Sequence, residues 1–183
     1  MPKSIEEDWI IIDRLTEVIL ENTEGEIVEI GSGPSTIVLN RYAGFGVEHH
    51  VCDNSAKRCK WLRKNLNCII YEMDSVEFIE RCSDIQIAVG FIDGIHQYDT
   101  VLSEVNFFLS KLSPGGVVFL HDTYPEKIQH VTEKGDRCGD VYKIRQFLER
   151  KKGVQTFTWP YTARNCGLTM VMKKEKNPPF YRR

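Results

Sequence analysis

The sequence predicts a doubly wound α/β sheet, mostly parallel, with an antiparallel pair of strands at its end. Three observations carry this. Strand and helix signals alternate five times before a final helix and two late strands. Val117–Leu120 is apolar throughout, as in the centre of a parallel sheet covered on both faces. Val154–Trp159 and Leu168–Lys173 are separated by only the eight residues 160–167, too few for a parallel crossover.

The elements follow in order. Ser4-Ile5-Glu6-Glu7 reads as a capping box, and Ile5, Trp9, Ile12 and Ile19 recur at helical spacing to about Glu21. Glu26–Ile30 is a short apolar strand ending in Gly31-Ser32-Gly33, and a helix starts at Pro34 and runs towards Asn40. Gly46–Cys52 reads as the second strand, Ser55–Leu66 as a helix and Cys68–Met73 as the third strand. Asp74-x-x-Glu77 caps a short helix to about Arg81. Ile85–Ile92 is the fourth strand. In Asp99–Leu112 the residues Val101, Val105, Phe108 and Leu112 form one apolar helical stripe. Ser113-Pro114-Gly115-Gly116 breaks that helix before the Val117–Leu120 strand. Thr123–Gly139 is polar and reads as a loop, and Asp140–Lys151 as a helix.

A chain of 183 residues with 42% hydrophobic and 27% charged residues fits one globular domain. Residues 1–25 read as an N-terminal helix packed on the core, 26–173 as the domain and 174–183 as a frayed tail. The net charge of −2 offers no general attraction for nucleic acid. Apolar runs reach only four residues, as in Trp9–Ile12, far short of a membrane span. Glu6, Glu7, Asp8 and Asp13 interrupt any secretory leader. The cysteines at 52, 59, 68, 82, 138 and 166 make no C-x-x-C pair and read as reduced thiols of a cytoplasmic protein.

Sheets of this class bind ligands beyond the carboxyl ends of their strands. The residues there are Glu29 to Gly33, Asp53-Asn54, Asp74-Ser75, Asp93 to His96 and His121-Asp122. Any one of these acids reads equally well as a helix cap. All five strand ends together point to a ligand. Gly31 and Gly33 allow a tight turn and close approach, but Thr36 stands where a dinucleotide fold wants its third glycine. Glu29 beside that turn disfavours a pyrophosphate. Asp53 follows Gly33 at the roughly 20-residue spacing of an acid that holds ribose hydroxyls. A cationic nucleoside without phosphate, S-adenosylmethionine, fits this acidic set.

Val28-Glu29-Ile30-Gly31-Ser32-Gly33-Pro34-Ser35-Thr36 resembles motif I of class I S-adenosylmethionine-dependent methyltransferases, with Ser35 at the third glycine. Asp93-Gly94-Ile95-His96-Gln97-Tyr98, followed by Pro114-Gly115-Gly116 and His121-Asp122, is more specific. It resembles the small-molecule O-methyltransferase branch that includes macrocin-type sugar methyltransferases and cephalosporin-hydroxylase-like proteins. The resemblance covers roughly residues 26 to 173 and implies a Rossmann-like methyltransferase sheet. It also implies roles. Glu29, Gly31 and Gly33 would shape the methionine side of the pocket, and Ser35 and Thr36 would donate from the next helix. Asp53, with Asn54 beside it, would hold the ribose. Asp74 and Ser75 would meet the adenine edge, and Asp93 would lie beneath the sulfonium.

His96, three residues after Asp93, is the candidate general base, since a histidine titrates near working pH. Packing under Tyr98 is the competing role for it. Asp93, His121 and Asp122 form a second set, two carboxylates and an imidazole, suited to a divalent cation. Metal-dependent relatives carry acids at these strand ends; with His121 in place of one, Mg²⁺ stays open and His121 is alternatively a second base. Tyr124-Pro125 and Trp159-Pro160-Tyr161 are candidates for an aromatic substrate wall. His49 and His50, on opposite faces of a strand, do not read as a ligand pair. The basic residues Lys57, Arg58, Lys60, Arg63 and Lys64 read as a solvated helix face. The expectation is methyl transfer to a small molecule at oxygen, with no nucleic-acid or membrane partner and a homodimer allowed. The competing readings are an NAD-type oxidoreductase and a non-catalytic protein that keeps the fold.

Overall fold

A computed structural model describes residues 7–44, 46–82, 84–127, 130–131, 138–160 and 166–174. The chain forms α1 (Glu7–Leu20), β1 (Glu26–Ile30), α2 (Pro34–Leu39), β2 (His49–Cys52), α3 (Ala56–Asn65), β3 (Ile69–Tyr71) and α4 (Ser75–Arg81). It continues through β4 (Ile87–Ile92), α5 (Tyr98–Lys111), β5 (Leu112–His121), α6 (Tyr142–Arg150), β6 (Val154–Trp159) and β7 (Leu168–Lys173). The strands form one sheet in the order β3-β2-β1-β4-β5-β7-β6. β3, β2, β1, β4 and β5 are parallel to their neighbours. β7 runs antiparallel to both β5 and β6. The order reverses between β1 and β4, so the ligand crevice of such a sheet opens where these strands end.

Each face of the sheet is covered. α5 and α6 press Val105, Phe108, Ile144 and Leu148 onto Val28, Ile92, Val118 and Val171. On the other face Trp9 and Ile12 of α1 and Leu39 of α2 pack on Ile27, Phe91 and Phe119. β1 and β4 supply residues to both clusters because successive side chains alternate across a strand. The expected α/β class and its antiparallel end are therefore observed.

The differences lie at element ends. β2 starts at His49 rather than Gly46, because Gly44 and Val47 exchange backbone hydrogen bonds of 2.9 and 3.0 Å in a tight turn first. β3 is trimmed to Ile69–Tyr71 and β4 starts at Ile87. Pro114-Gly115-Gly116 ends no helix: Leu112 already pairs with Ile87, and the glycines lie in an irregular stretch before Val117 resumes register opposite Val89. The expected antiparallel edge pair is present, with β7 between β5 and β6. Asp74 caps α4 as read, accepting from the Glu77 amide at 2.9 Å. Ser4 to Glu6 of the proposed capping box and residues 175–183 of the tail lie outside the described residues. Among the described residues no helix is long and apolar enough to cross a membrane.

Candidate active site

The glycine turn after β1 is built by a close approach. Ile30 pairs with Ile92 across β1 and β4, and the Asp93 amide donates to the Ile30 carbonyl at 2.9 Å. Gly31, at φ +83°, faces the Asp93 carbonyl so closely that a Cβ would sit 2.2 Å from its oxygen. Only glycine combines that dihedral with that contact. Below the turn, Glu29 is buried and accepts a short hydrogen bond from the Ser35 hydroxyl. Its other oxygen lies 3.4 Å from Nε2 of buried His49. The Gly33 amide donates to the Thr36 hydroxyl at 2.9 Å. Glu29, Gly33, Ser35 and Thr36 thus brace the turn from the α2 side.

A cavity of about 350 Å³ opens beside the turn. Gly31, Asp53, Asn54, Asp74, Ser75 and Asp93 line it, whereas Glu29, Gly33, Ser35 and Thr36 do not. Asp53 accepts from the Ser32 amide at 2.9 Å, from the Ser32 hydroxyl and from the Ser55 amide at 2.7 Å. Burial opposes its charge, but these hydrogen bonds and nearby Arg58 outweigh it and lower its pKa.

Sequence reasoning missed Glu104. It projects from α5 into the cavity wall and is fully buried, and among the described residues neither carboxyl oxygen has a partner at ordinary hydrogen-bond geometry. Burial raises its pKa to about 7, against smaller opposing effects from Ser75 and His96. A signal existed: Glu104 sits three residues after Val101 and four before Phe108, on the buried stripe of the helix.

Next to the cavity, the adjacent ends of β4 and β5 gather a second set. His96 Nε2 lies 3.3 Å from Asp93 Oδ1 and 3.3 Å from Asp122 Oδ2. His121 Nδ1 lies 3.2 Å from Asp122 Oδ1 and 3.5 Å from Asp93 Oδ1, and its Nε2 lies 3.3 Å from Asp8 Oδ2. The His121 ring stacks on Trp9 with centroids 5.4 Å apart. Asp122 has φ 58°, a conformation rare outside glycine that the surrounding contacts must hold. Burial disfavours charge on both histidines, but the carboxylates prevail. Asp93 and Asp122 raise the pKa of His96, and Asp122, Asp8 and Asp93 raise that of His121 well above 6.5. Asp93 moves the other way, to about 2: burial opposes ionisation and the two histidines overcome it.

Both His121 nitrogens face carboxylates, which favours its protonated form over the free lone pair that a ligand or base needs. These contacts favour a positioning role for His121 over the expected one of ligand or base. His96 takes the place expected for it: its Nε2 and one oxygen each of Asp93 and Asp122 lie within 4.8 Å of one another. Asp8 was also missed; it lies one helical turn before Ile12, on the inward face of α1. Tyr124 is anchored after β5, with the Arg145 guanidinium 4.8 Å above its ring. Trp159 pairs with Leu168, which pairs with His121, so it ends β6 at the level of the site. Tyr161 lies outside the described residues.

Residues 28–123 match a family model described as a methyltransferase domain. The match spans more than half of the chain, and the chain belongs to that family. No curated protein matches it. Among solved structures the fold is shared with cofactor-bound Rv0187 from MTB, at TM-score 0.78 and 15% identity over 96% of this chain and 84% of that one. An O-methyltransferase from Bacillus cereus in complex with SAH gives TM-score 0.71 and 17% identity over 92% and 81% of the two chains. TomG from Streptomyces achromogenes, an O-methyltransferase of tomaymycin synthesis in complex with SAM, gives 0.65 and 15% over 92% and 80%. At such identities the likeness is one of fold. With the family match, it gives this chain the Rossmann-like sheet of a class I methyltransferase.

Proposed function

We propose that the chain transfers a methyl group from S-adenosylmethionine to an oxygen of a small-molecule acceptor. One observation carries this: Asp93 lines the cavity beside Gly31 and also pairs with His96, so a nucleoside pocket and a base meet at a single residue. The solved neighbours crystallised with SAM or SAH support the choice of cofactor. The family supports the reaction.

The cavity suits that cofactor. The Gly31 contact leaves the turn bare for a ligand, and the orphaned Glu104 carboxyl supplies a buried acceptor. Asp53 and Asn54 would hold the ribose, and Asp74, Ser75 and Glu104 the adenine. Asp93, ionised across the whole working pH range, would face the sulfonium. The cofactor, when bound, supplies an electrophilic methyl group on a good leaving group. What remains for the protein is to orient the acceptor and to accept a proton. His96 does the second in its neutral form, and Asp93 and Asp122 stabilise the imidazolium that results. Behind them His121, its pKa raised by the same carboxylates, favours its charged form and offsets their negative charge.

Mg²⁺ is disfavoured at the expected triad of Asp93, His121 and Asp122, because both His121 nitrogens already face carboxylates; Asp93, His96 and Asp122 are the residues that would hold such an ion. NAD is disfavoured because Glu29 lies buried below the glycine turn where its pyrophosphate would sit and Thr36 stands at the third glycine. The acceptor is read as small, with no nucleic acid or membrane involved, and the protein as cytoplasmic; the near-neutral charge and six thiols support this. Titration calorimetry against S-adenosylhomocysteine and NAD tests the cofactor. Binding of the first alone is expected, and binding of NAD alone would refute the reading. A methyl-transfer screen over hydroxylated metabolites separates an enzyme from a protein that only binds the cofactor.

A further inference from the structure

Two cysteines meet the site at Asp122, outside the lining of the cofactor cavity, and the methyl-transfer reading uses neither. Cys138 precedes α6 and Cys166 precedes β7. Both are buried and both are thiols. Their sulfurs and one carboxylate oxygen of Asp122 lie within 4.8 Å of one another. The three residues come from three segments far apart in sequence, brought together only by the fold.

Each segment is held where it lies. The Cys138 amide donates to the His130 carbonyl at 3.2 Å, and the Asp140 amide to the His96 carbonyl at 3.3 Å. Gly139 packs so tightly on His96 that a Cβ would come within 1.9 Å of its carbonyl oxygen. The Tyr124 amide donates to the Cys166 carbonyl at 2.6 Å, and the Thr123 amide to the Gly167 carbonyl at 3.3 Å. Between them stands Asp122 at φ 58°. Left-handed backbone at an aspartate costs energy, and it persists where the neighbours dictate it. Here it aims the carboxylate at both His96 and the thiols.

Two sulfurs and a carboxylate oxygen form a donor set for a borderline-soft, tetrahedral cation. Hard Mg²⁺ and Ca²⁺ take oxygen shells instead. Bonds of about 2.0 Å to oxygen and 2.3 Å to sulfur place tetrahedral donors about 3.3–3.8 Å apart. A contraction of at most about 1.0 Å between the sulfurs and about 1.3 Å between sulfur and oxygen therefore closes the triangle on an ion.

We propose that Asp122, Cys138 and Cys166 form a binding site for a zinc-type divalent cation, with water in the fourth position. Binding releases the thiol protons to solvent. The ion would tie the segments before α6 and β7 to the end of β5, and so fix the acceptor side of the cleft. The site shares Asp122 with the proposed base His96, but the binding of an ion by its thiols does not depend on methyl transfer.

Cobalt(II) reads the ligands directly. Full-length protein, reduced and stripped by a chelator under anaerobic conditions, is titrated with cobalt. One equivalent is expected to produce an intense thiolate-to-cobalt charge-transfer band and the visible absorption of a tetrahedral ion, and zinc should displace it. Cys138→Ser and Cys166→Ser should each abolish the charge-transfer band, while Cys68→Ser should keep it. Since the wild-type spectrum itself reports thiolate ligation, a variant that fails to fold leaves the answer intact. Three results overturn the proposal. One is no cobalt uptake by the wild type. Another is uptake with a weak octahedral spectrum, which puts the ion on oxygen and nitrogen around Asp93 and His96. The last is a charge-transfer band that survives in both folded cysteine variants. No methyl donor enters the experiment, so its outcome is independent of the proposed reaction.

Discussion

Glu104→Gln converts an orphaned buried acid into a neutral amide of nearly the same shape. The unfolded chain carries this glutamate at its ordinary pKa of 4.5, and the fold raises it to about 7. The folded state therefore holds the proton more tightly. The contribution to stability is fully present below 4.5 and is lost as pH rises through about 7. The shift corresponds to about 3 kcal/mol. His96 and His121 also have raised pKa values and lose stability in the same direction above 6.5, so the wild-type curve alone is ambiguous. The difference between wild type and Glu104→Gln isolates the acid. Urea unfolding is measured for both from about pH 4.5 to about pH 8, with the slopes checked for equality. The wild type should fall relative to the variant by about 3 kcal/mol across this range. Saturating S-adenosylhomocysteine should shrink the fall, because an adenine amino group donates to the ionised carboxylate and favours it. A gap between wild type and variant that does not change with pH would show that Glu104 ionises normally, and would remove it from the pocket argument.

Three further outcomes are expected. Asp53→Ala should weaken S-adenosylhomocysteine binding at least tenfold, through loss of charge-assisted hydrogen bonds worth about 1.5–3 kcal/mol; unchanged affinity in a folded variant takes Asp53 out of the site. His96→Ala should cut turnover by about 10²–10⁴-fold with cofactor affinity intact, and wild-type kcat/KM should rise with pH through a pKa above 6.5, where His96 becomes neutral. Turnover equal to wild type leaves His96 as a packing residue. Gly31→Ala should cost about 2–4 kcal/mol in stability and abolish cofactor binding, since its Cβ would strike the Asp93 backbone; a melting curve like that of the wild type contradicts the close approach.

Local chemistry determined much of this protein from sequence alone. Helix and strand periods, the Asp74 cap and the short 160–167 connection are properties of neighbouring residues, so they could be read in line. The strand-end rule then selected Gly31, Asp53, Asp74, Asp93, His96 and Asp122 without coordinates, because a parallel sheet places its strand ends on one rim. The rest required the fold. Whether a carboxyl is ionised depends on how much water and which charges surround it, and those neighbours come from afar. Glu104 belongs to an amphipathic helix, and only the packing of α5 shows that its carboxyl is buried in the cavity wall. His121 looked like a ligand until Asp8 and Asp122 took both of its nitrogens. Cys138 and Cys166, 28 positions apart in the chain, share Asp122 only because β7 inserts beside β5 and the segment before α6 folds back on His96. Sequence specifies which side chains are present at the rim; only tertiary structure sets the distances between them, and the electrostatic energies that decide charge and ligation depend on those distances.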